Sequence, residues 1–334
     1  MTAATIISDI KKRNFKPIYF LYGNEPYFID QISDLIENTV LNESEKGFNQ
    51  MVLYGRDVSI DEIVSNAKRF PMMAEHQVII IKEAQHLART IHQLDTYIDQ
   101  VQTTTILVFN YKYKSPDKRK TVFKKMAKIG VLFESKPLYE NQVPAWISNF
   151  VKDKGYQIAP KASVMLVEFL GTELSKITNE LNKLFILLPK ESMITPEAIE
   201  ENIGISKDFN NFELRKAIGS KNIVKANQII NYFAQNPKNN PTVMTISLLN
   251  SFFTQLLQYH ALPNKSNSKA VASALRVNPF FVSDYTTAGA NYPMRKVSQI
   301  IGYLRDADIK SKGVGARDLS QGDLLKELLF KIMH

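Results

Sequence analysis

The stretch IYFLYGNEPYFIDQ, residues 18–31, constrains this chain more than any other. Ile18, Tyr19, Phe20 and Leu21 make a short apolar run of the kind that is buried as a strand. Gly23 breaks it, and Phe28, Ile29, Ile32, Leu35 and Ile36 then recur at helical spacing. Strand, glycine turn and helix in that order frame the phosphate loop of nucleoside triphosphatases. Their GxxxxGK[ST] pattern supplies backbone N–H donors, a lysine and a hydroxyl for Mg²⁺. Counted from Gly23, the second glycine belongs at 28, the lysine at 29 and the hydroxyl at 30; the chain has Phe28, Ile29 and Asp30. Apolar side chains and a carboxylate disfavour a triphosphate, so the frame is expected without its chemistry.

A second substitution points the same way. QVIIIKEAQHL, residues 77–87, reads as a buried strand with an acidic end, where a Walker B strand would close on Asp-Glu and hold Mg²⁺. Lys82 stands in the Asp position and Glu83 follows. The simpler alternative is an α/β domain that never carried the site.

At 334 residues the chain exceeds what one hydrophobic core serves, so two or three domains are expected. Its 44% hydrophobic and 22% charged content is that of an ordinary globular protein. No apolar run approaches the ~20 residues of a membrane helix. The start, MTAATIISDIKKRNF, has no basic region followed by a long apolar segment and a cleavage site. There is no cysteine, which excludes disulfides, Fe–S clusters and thiol catalysis. A cytoplasmic protein is the expectation, and a net charge of +9 suggests a polyanionic partner.

Along the chain, residues 5–15 read as a helix and 51–54 as a strand. Ser59 and Glu62 are spaced as a capping box for a helix with Ile60, Ile63, Val64 and Ala67 inward, stopped by Pro71. PMMAEHQ follows. Met72 and Met73, adjacent and just past Pro71, cannot both face one core, and methionine recurs on protein-binding surfaces. One of them capping the core beneath the helix end is the simpler reading. Residues 84–100 suggest another helix and TTTILVFN, 103–110, another strand; strands alternating with helices indicate a mainly parallel sheet covered on both faces.

YKYKSPDKRKTVFKKMAK, residues 111–128, sets Lys112, Lys114, Lys118, Arg119, Lys120, Lys124, Lys125 and Lys128 against a lone acid, Asp117. Ser115 and Pro116 suit an N-cap and first helical position, with Val122, Phe123, Met126 and Ile129 inward. A solvated face is the default for such a run, and contact with a phosphate backbone is the sharper possibility. VLFE, 131–134, is the last strand; from about 140 the pattern is almost wholly helical. Leu174, Ile177, Leu181, Leu184 and Leu188 form one stripe up to Pro189. ISKDFNN, 205–211, reads as a linker, followed by helices near 212–219, 221–235, 242–261, 268–275, 294–310 and 319–332. The helix at 242–261 has more apolar width than one core needs, which suggests contacts on two sides, a second subunit among them.

Catalytic signals are missing. His76, His86, His92, His260 and His334 form no HExxH, His86 and His92 are six apart, and no GxSxG or GxGxxG occurs. No catalytic residue, metal site or cofactor is expected.

Taken in order, LYGNEPYFI, TTTILVF followed by SPDKRK, GTELSKITNELNKL, ITPEAIEENIG leading into NNFELRKAI, and LRDADIKSKG are similar to the delta subunits of bacterial DNA polymerase III clamp loaders, along essentially the full length. The resemblance implies an AAA+-like α/β domain with a mainly parallel sheet (1–139), a small helical lid (140–209) and an all-α collar (210–334) joining the subunits of a pentamer. It also implies a subunit that neither binds nor hydrolyses ATP. Such a subunit binds the sliding clamp and opens one of its interfaces for loading on primed DNA. Aligned on the following Ala-x-x-Gln and strand, the two side chains that enter the clamp fall on Met72 and Met73, where a leucine and an aromatic are familiar. Pro71 would fix their approach, and Glu75 and His76 would lie at the polar rim. Implied partners are the sliding clamp, the ATPase subunits through the collar, and primer–template DNA, with Lys118, Arg119, Lys120, Lys124 and Lys125 as candidate DNA contacts; no membrane is implied. The alternatives are an active AAA+ ATPase with an unusual site and a DNA-binding module working outside any loader.

Overall fold

The computed structural model describes residues 1–204, 206, 208–315 and 319–334; the expected linker at 205–211 lies partly outside them. The chain forms two compact units, Met1–Leu138 with Glu173–Ser175, and Tyr139–Thr172 with Lys176–His334.

The first unit is a parallel α/β domain, as the alternation of patterns predicts. Its elements are α1 (Ala3–Lys11), β1 (Ile18–Gly23), α2 (Pro26–Thr39), α3 (Glu43–Asn49), β2 (Gln50–Tyr54), α4 (Ile60–Ala67), β3 (Gln77–Lys82), α5 (Asp95–Asp99), β4 (Thr105–Lys112), α6 (Thr121–Ile129) and β5 (Val131–Ser135). The five strands lie in the order β2-β3-β4-β1-β5, every pairing parallel. β1 and β4 are central and buried on both faces, so their sequences run apolar without alternation. Alternate residues still separate by face. Phe20, Tyr22, Ile79, Ile81 and Phe109 pack with α4, α6 and the 84–98 segment, while Tyr19, Leu21, Val78, Ile80 and Val108 pack with α1 and α2.

Two expectations are corrected here, and one helix appears that no pattern predicts. Residues 84–100 are not one helix but 3₁₀ turns at Ala84–Leu87 and Ile91–Leu94 followed by α5. Buried Ala84, Leu87, Ile91 and Leu94 recur at a spacing near three, which tight turns satisfy as well as an α-helix does. The basic helix starts at Thr121, not at Ser115–Pro116. The Asp117 carboxylate accepts the Arg119 N–H at 3.2 Å and its carbonyl takes the Lys120 N–H at 3.1 Å, a local turn that competes with the helix. Ser59 caps α4 by accepting the Glu62 N–H at 3.2 Å, which is one half of the expected capping box. Finally, α3 is present although nothing apolar recurs in it. A reciprocal capping box holds its start, in which Asn42 accepts the Glu45 N–H at 3.0 Å and Glu45 accepts the Asn42 N–H at 2.9 Å.

The second unit is helical apart from a pair of two-residue strands, β6 (Gln157–Ile158) and β7 (Met193–Ile194). Its helices are α7 (Val143–Asp153), α8 (Pro160–Leu170), α9 (Leu174–Leu187), α10 (Pro196–Ile203), α11 (Asn211–Gly219), α12 (Ile223–Gln235), α13 (Thr242–Ala261), α14 (Ser268–Leu275), α15 (Val282–Asn291), α16 (Met294–Ser311) and α17 (Gln321–Met333). The apolar width of α13 is used inside this unit, between α16 and the group α11, α14 and α15, so it needs no second subunit. The Arg215 guanidinium lies 5.3–5.8 Å from the rings of Phe212, Phe252 and Phe281 and 3.9 Å from Glu168. Burial outweighs the arginine and pushes the Glu168 carboxyl up to about 7.

Candidate functional site

At the end of β1, Gly23 has φ +135°, and a Cβ there would lie 2.0 Å from the Ser135 carbonyl oxygen, so only glycine lets β1 close against β5. The turn is then sewn down from both sides. The Ser135 hydroxyl donates to the Glu25 carbonyl at 2.6 Å, and the Tyr113 N–H donates to the Gly23 carbonyl at 2.8 Å. Glu25 is the N-cap of α2, with Pro26 in the first turn. Its carboxylate is buried and accepts the Tyr27 N–H at 3.0 Å. Burial, set partly against that hydrogen bond, pushes its pKa above the usual glutamate range. A carboxylate of the chain itself therefore occupies the helix end where a phosphate would bind.

The residues singled out by the loop pattern divide. Ile29 lies fully in the core and Phe28 packs against the same apolar cluster, so Ile29 does not face the loop at all. This corrects the expectation that it repels phosphate directly. Asp30 pairs with Lys112 at 2.7 Å. Lys82, at the end of β3, pairs with Glu37 of α2 at 3.5 Å. Glu83 takes a left-handed backbone, φ +53°, and accepts a hydrogen bond from the Gln85 amide. Both lysines at this edge of the sheet are thus matched by acids on α2.

The second place is the segment after α4. Pro71 is half-buried, Met72 is 55% exposed and Met73 is 101% exposed with φ +54°. Neither methionine caps the core, and they stand on an irregular loop beyond the helix end. Two buried amides hold this loop: Asn49, which no sequence pattern marks, and Gln77 of the Ala-x-x-Gln pattern. Asn49 accepts the Met72 N–H at 2.6 Å and donates to the Met72 carbonyl at 2.9 Å. Gln77 donates to the carbonyls of Asn66 at 2.9 Å and Arg69 at 3.0 Å, closing the end of α4. Phe48 and Phe70 are also exposed and line a shallow groove with Met72. Glu75 is exposed, and His76 sets its ring edge-on against Phe15.

The basic stretch is less free than its composition suggests. Lys118 bonds Glu134 at 3.0 Å over the Tyr22 ring, Arg119 pairs with Asp117 at 2.9 Å, and Lys125 pairs with Asp99 at 2.7 Å. Among the described residues of this stretch, Lys114, Lys120, Lys124 and Lys128 are exposed and have no ion-pair partner. Also among the described residues, no cluster of three His, Cys, Asp or Glu could hold a metal, and no helix is long and apolar enough to cross a membrane.

The site and fold define a class: a parallel five-stranded α/β domain whose helix after β1 is capped by its own buried glutamate, followed by a helical region. The family model of the DNA polymerase III delta subunit matches residues 19–136, and that of the C-terminal domain of the DNA polymerase III delta subunit matches residues 208–327. DNA polymerase III subunit delta of Bacillus subtilis is 25% identical over 320 residues, 93% of this chain and 91% of that one. The solved structure of the Bacillus subtilis DNA clamp loader delta protein superposes with a TM-score of 0.55 at 25% identity, covering 99% of both chains. This chain belongs to the DNA polymerase III delta-subunit family and is a protein of DNA replication.

Proposed function

We propose that this chain is the clamp-binding subunit of its clamp loader and that Met72 and Met73, flanked by Phe48 and Phe70, enter an apolar pocket on the sliding clamp. The observation that carries this is the tip itself: adjacent methionines turned to solvent on a backbone tied down from behind. A contiguous exposed apolar patch on an otherwise well-packed domain marks a protein contact. Methionine fills such a pocket adaptably.

Opening follows from differential binding. A ligand shifts a closed ring toward an open one only by binding the open form better. The methionines anchor the clamp, and the rest of the first unit then fits only a relaxed, less curved ring. The chain catalyses nothing itself. It takes no nucleotide at Gly23–Asp30, because Glu25 already holds the Tyr27 N–H and Lys82 and Lys112 are neutralised by α2. Residues 140–209 serve as the lid and 210–334 as the collar that seats the ATPase subunits. ATP on those neighbours exposes the tip, and DNA-triggered hydrolysis withdraws it. Lys114, Lys120, Lys124 and Lys128 are the cations of the basic stretch most available to primer–template DNA.

Mixing the chain with its cognate clamp on a sizing column tests the reading, and co-elution is expected. Separate elution at micromolar concentrations, together with saturable Mg-ATP binding by calorimetry, would instead favour an ATPase acting outside a loader.

A further inference from the structure

We infer that Asn49 is the positioning residue of the tip: it fixes the peptide plane between Met72 and Met73 and so sets where the Met73 side chain stands. This rests on the reading of Met72 and Met73 as the clamp contact.

Asn49 closes α3 and is buried. One of its amide hydrogens returns to the Glu45 carbonyl of its own helix at 3.0 Å, which fixes the rotamer. The other hydrogen reaches the Met72 carbonyl at 2.9 Å, and the oxygen takes the Met72 N–H at 2.6 Å. Both hydrogens are spent, and the amide acts as a rigid two-point clamp on one residue of the loop. The Met72 carbonyl belongs to the same peptide unit as the Met73 nitrogen, so holding it restrains ψ of Met72 and φ of Met73.

That restraint is needed. Met73 has φ +54°, a left-handed conformation that disfavours residues with a Cβ and persists where the surroundings over-determine it. Its side chain, fully exposed, contributes no packing that could hold it there. The order must come through the backbone, and Asn49 supplies it at the preceding peptide. Loss of the clamp lets Met73 relax to negative φ, which swings its side chain away from Met72 and makes docking re-order the loop. The reading also accounts for α3, a polar seven-residue helix whose start is fixed by the Asn42–Glu45 capping box and whose last residue meets the tip.

The test is Asn49→Ala in the full chain, read by amide hydrogen exchange and by titration of the sliding clamp. The Met72 amide should exchange faster while the β-sheet amides stay protected. Clamp affinity should fall about tenfold, the scale of one or two net hydrogen bonds. In a Met73→Ala chain the same substitution should remove little further affinity, because Asn49 acts through Met73. If Asn49→Ala does not fold, Asn49→Asp keeps an oxygen for the Met72 N–H, lacks the donors, and takes the same cycle. Unchanged exchange at Met72, or an equal loss of affinity in both backgrounds, overturns the inference while leaving the clamp reading intact. Wild-type clamp binding by the Met72→Ala, Met73→Ala chain overturns both.

Discussion

Replacing Met72 and Met73 together by alanine separates contact from fold, because the structure gives different magnitudes for the two. Met73 is 101% exposed and Met72 55%, so within the chain the substitutions remove only the packing of a half-buried Met72. Surface changes of this kind fall within about 0.5 kcal/mol, and the melting temperature should stay nearly constant. Docking is another matter. Fully burying a methionine side chain contributes about 1.5–3 kcal/mol. Met73 has its whole surface to give and Met72 about half, so together they should contribute roughly 2–4 kcal/mol, or about 30- to 1,000-fold in Kd. The assay is a titration of labelled clamp with wild-type and doubly substituted chains, alongside thermal melts of each. An unchanged Kd would refute the contact. A melt lowered by many degrees would show that the side chains belong to the fold, and the reasoning from exposure would fail.

Gly23→Ala should destabilise the first unit by more than about 4 kcal/mol or prevent folding, since the new Cβ meets the Ser135 carbonyl oxygen at 2.0 Å where φ is +135°; a wild-type urea midpoint would refute this. Lys120→Glu with Lys124→Glu should weaken DNA-dependent clamp loading and reduce the magnitude of its salt slope by about two, near one for each phosphate no longer neutralised. Lys118→Glu should do less, because Lys118 is already held by Glu134; equal effects would remove the distinction. Glu168 has a folded pKa of about 7 against 4.5 for the ordinary carboxyl, so the folded chain holds the extra proton and stability falls as pH rises through that interval. Glu168→Gln should flatten that fall, measured as urea midpoints at about pH 5 and about pH 8; a slope identical to wild type would place the titration elsewhere.

The sheet was legible because a strand buried on both faces must be apolar throughout, and Ile18–Leu21, Val78–Ile81 and Ile106–Phe109 read that way without any partner in view. α3 was not, because its stability comes from a capping box and from one asparagine rather than from an apolar stripe. Its sole local signal is the Asn42–Glu45 spacing. In the 84–98 segment, apolar residues spaced near three fit 3₁₀ turns and an α-helix alike, and the sequence does not separate them. The tip shows the boundary most clearly. That Met72 and Met73 could not share one core followed from adjacency, but what holds them is Asn49, 23 residues earlier, which no periodicity marks.

The phosphate position carries the same lesson further. Counting from Gly23 assigns the missing lysine to position 29, yet Ile29 is a core residue on the buried side of α2. The turn is also fixed by Ser135, 110 residues away from Glu25. A lysine placed at 29 would bury its charge among Ile32, Ile36 and Leu21 instead of meeting a phosphate. Position 29 is thus taken up by the packing of α2 against the sheet. Substituting the pattern back would disturb the core while Glu25 still held the Tyr27 N–H at the helix end.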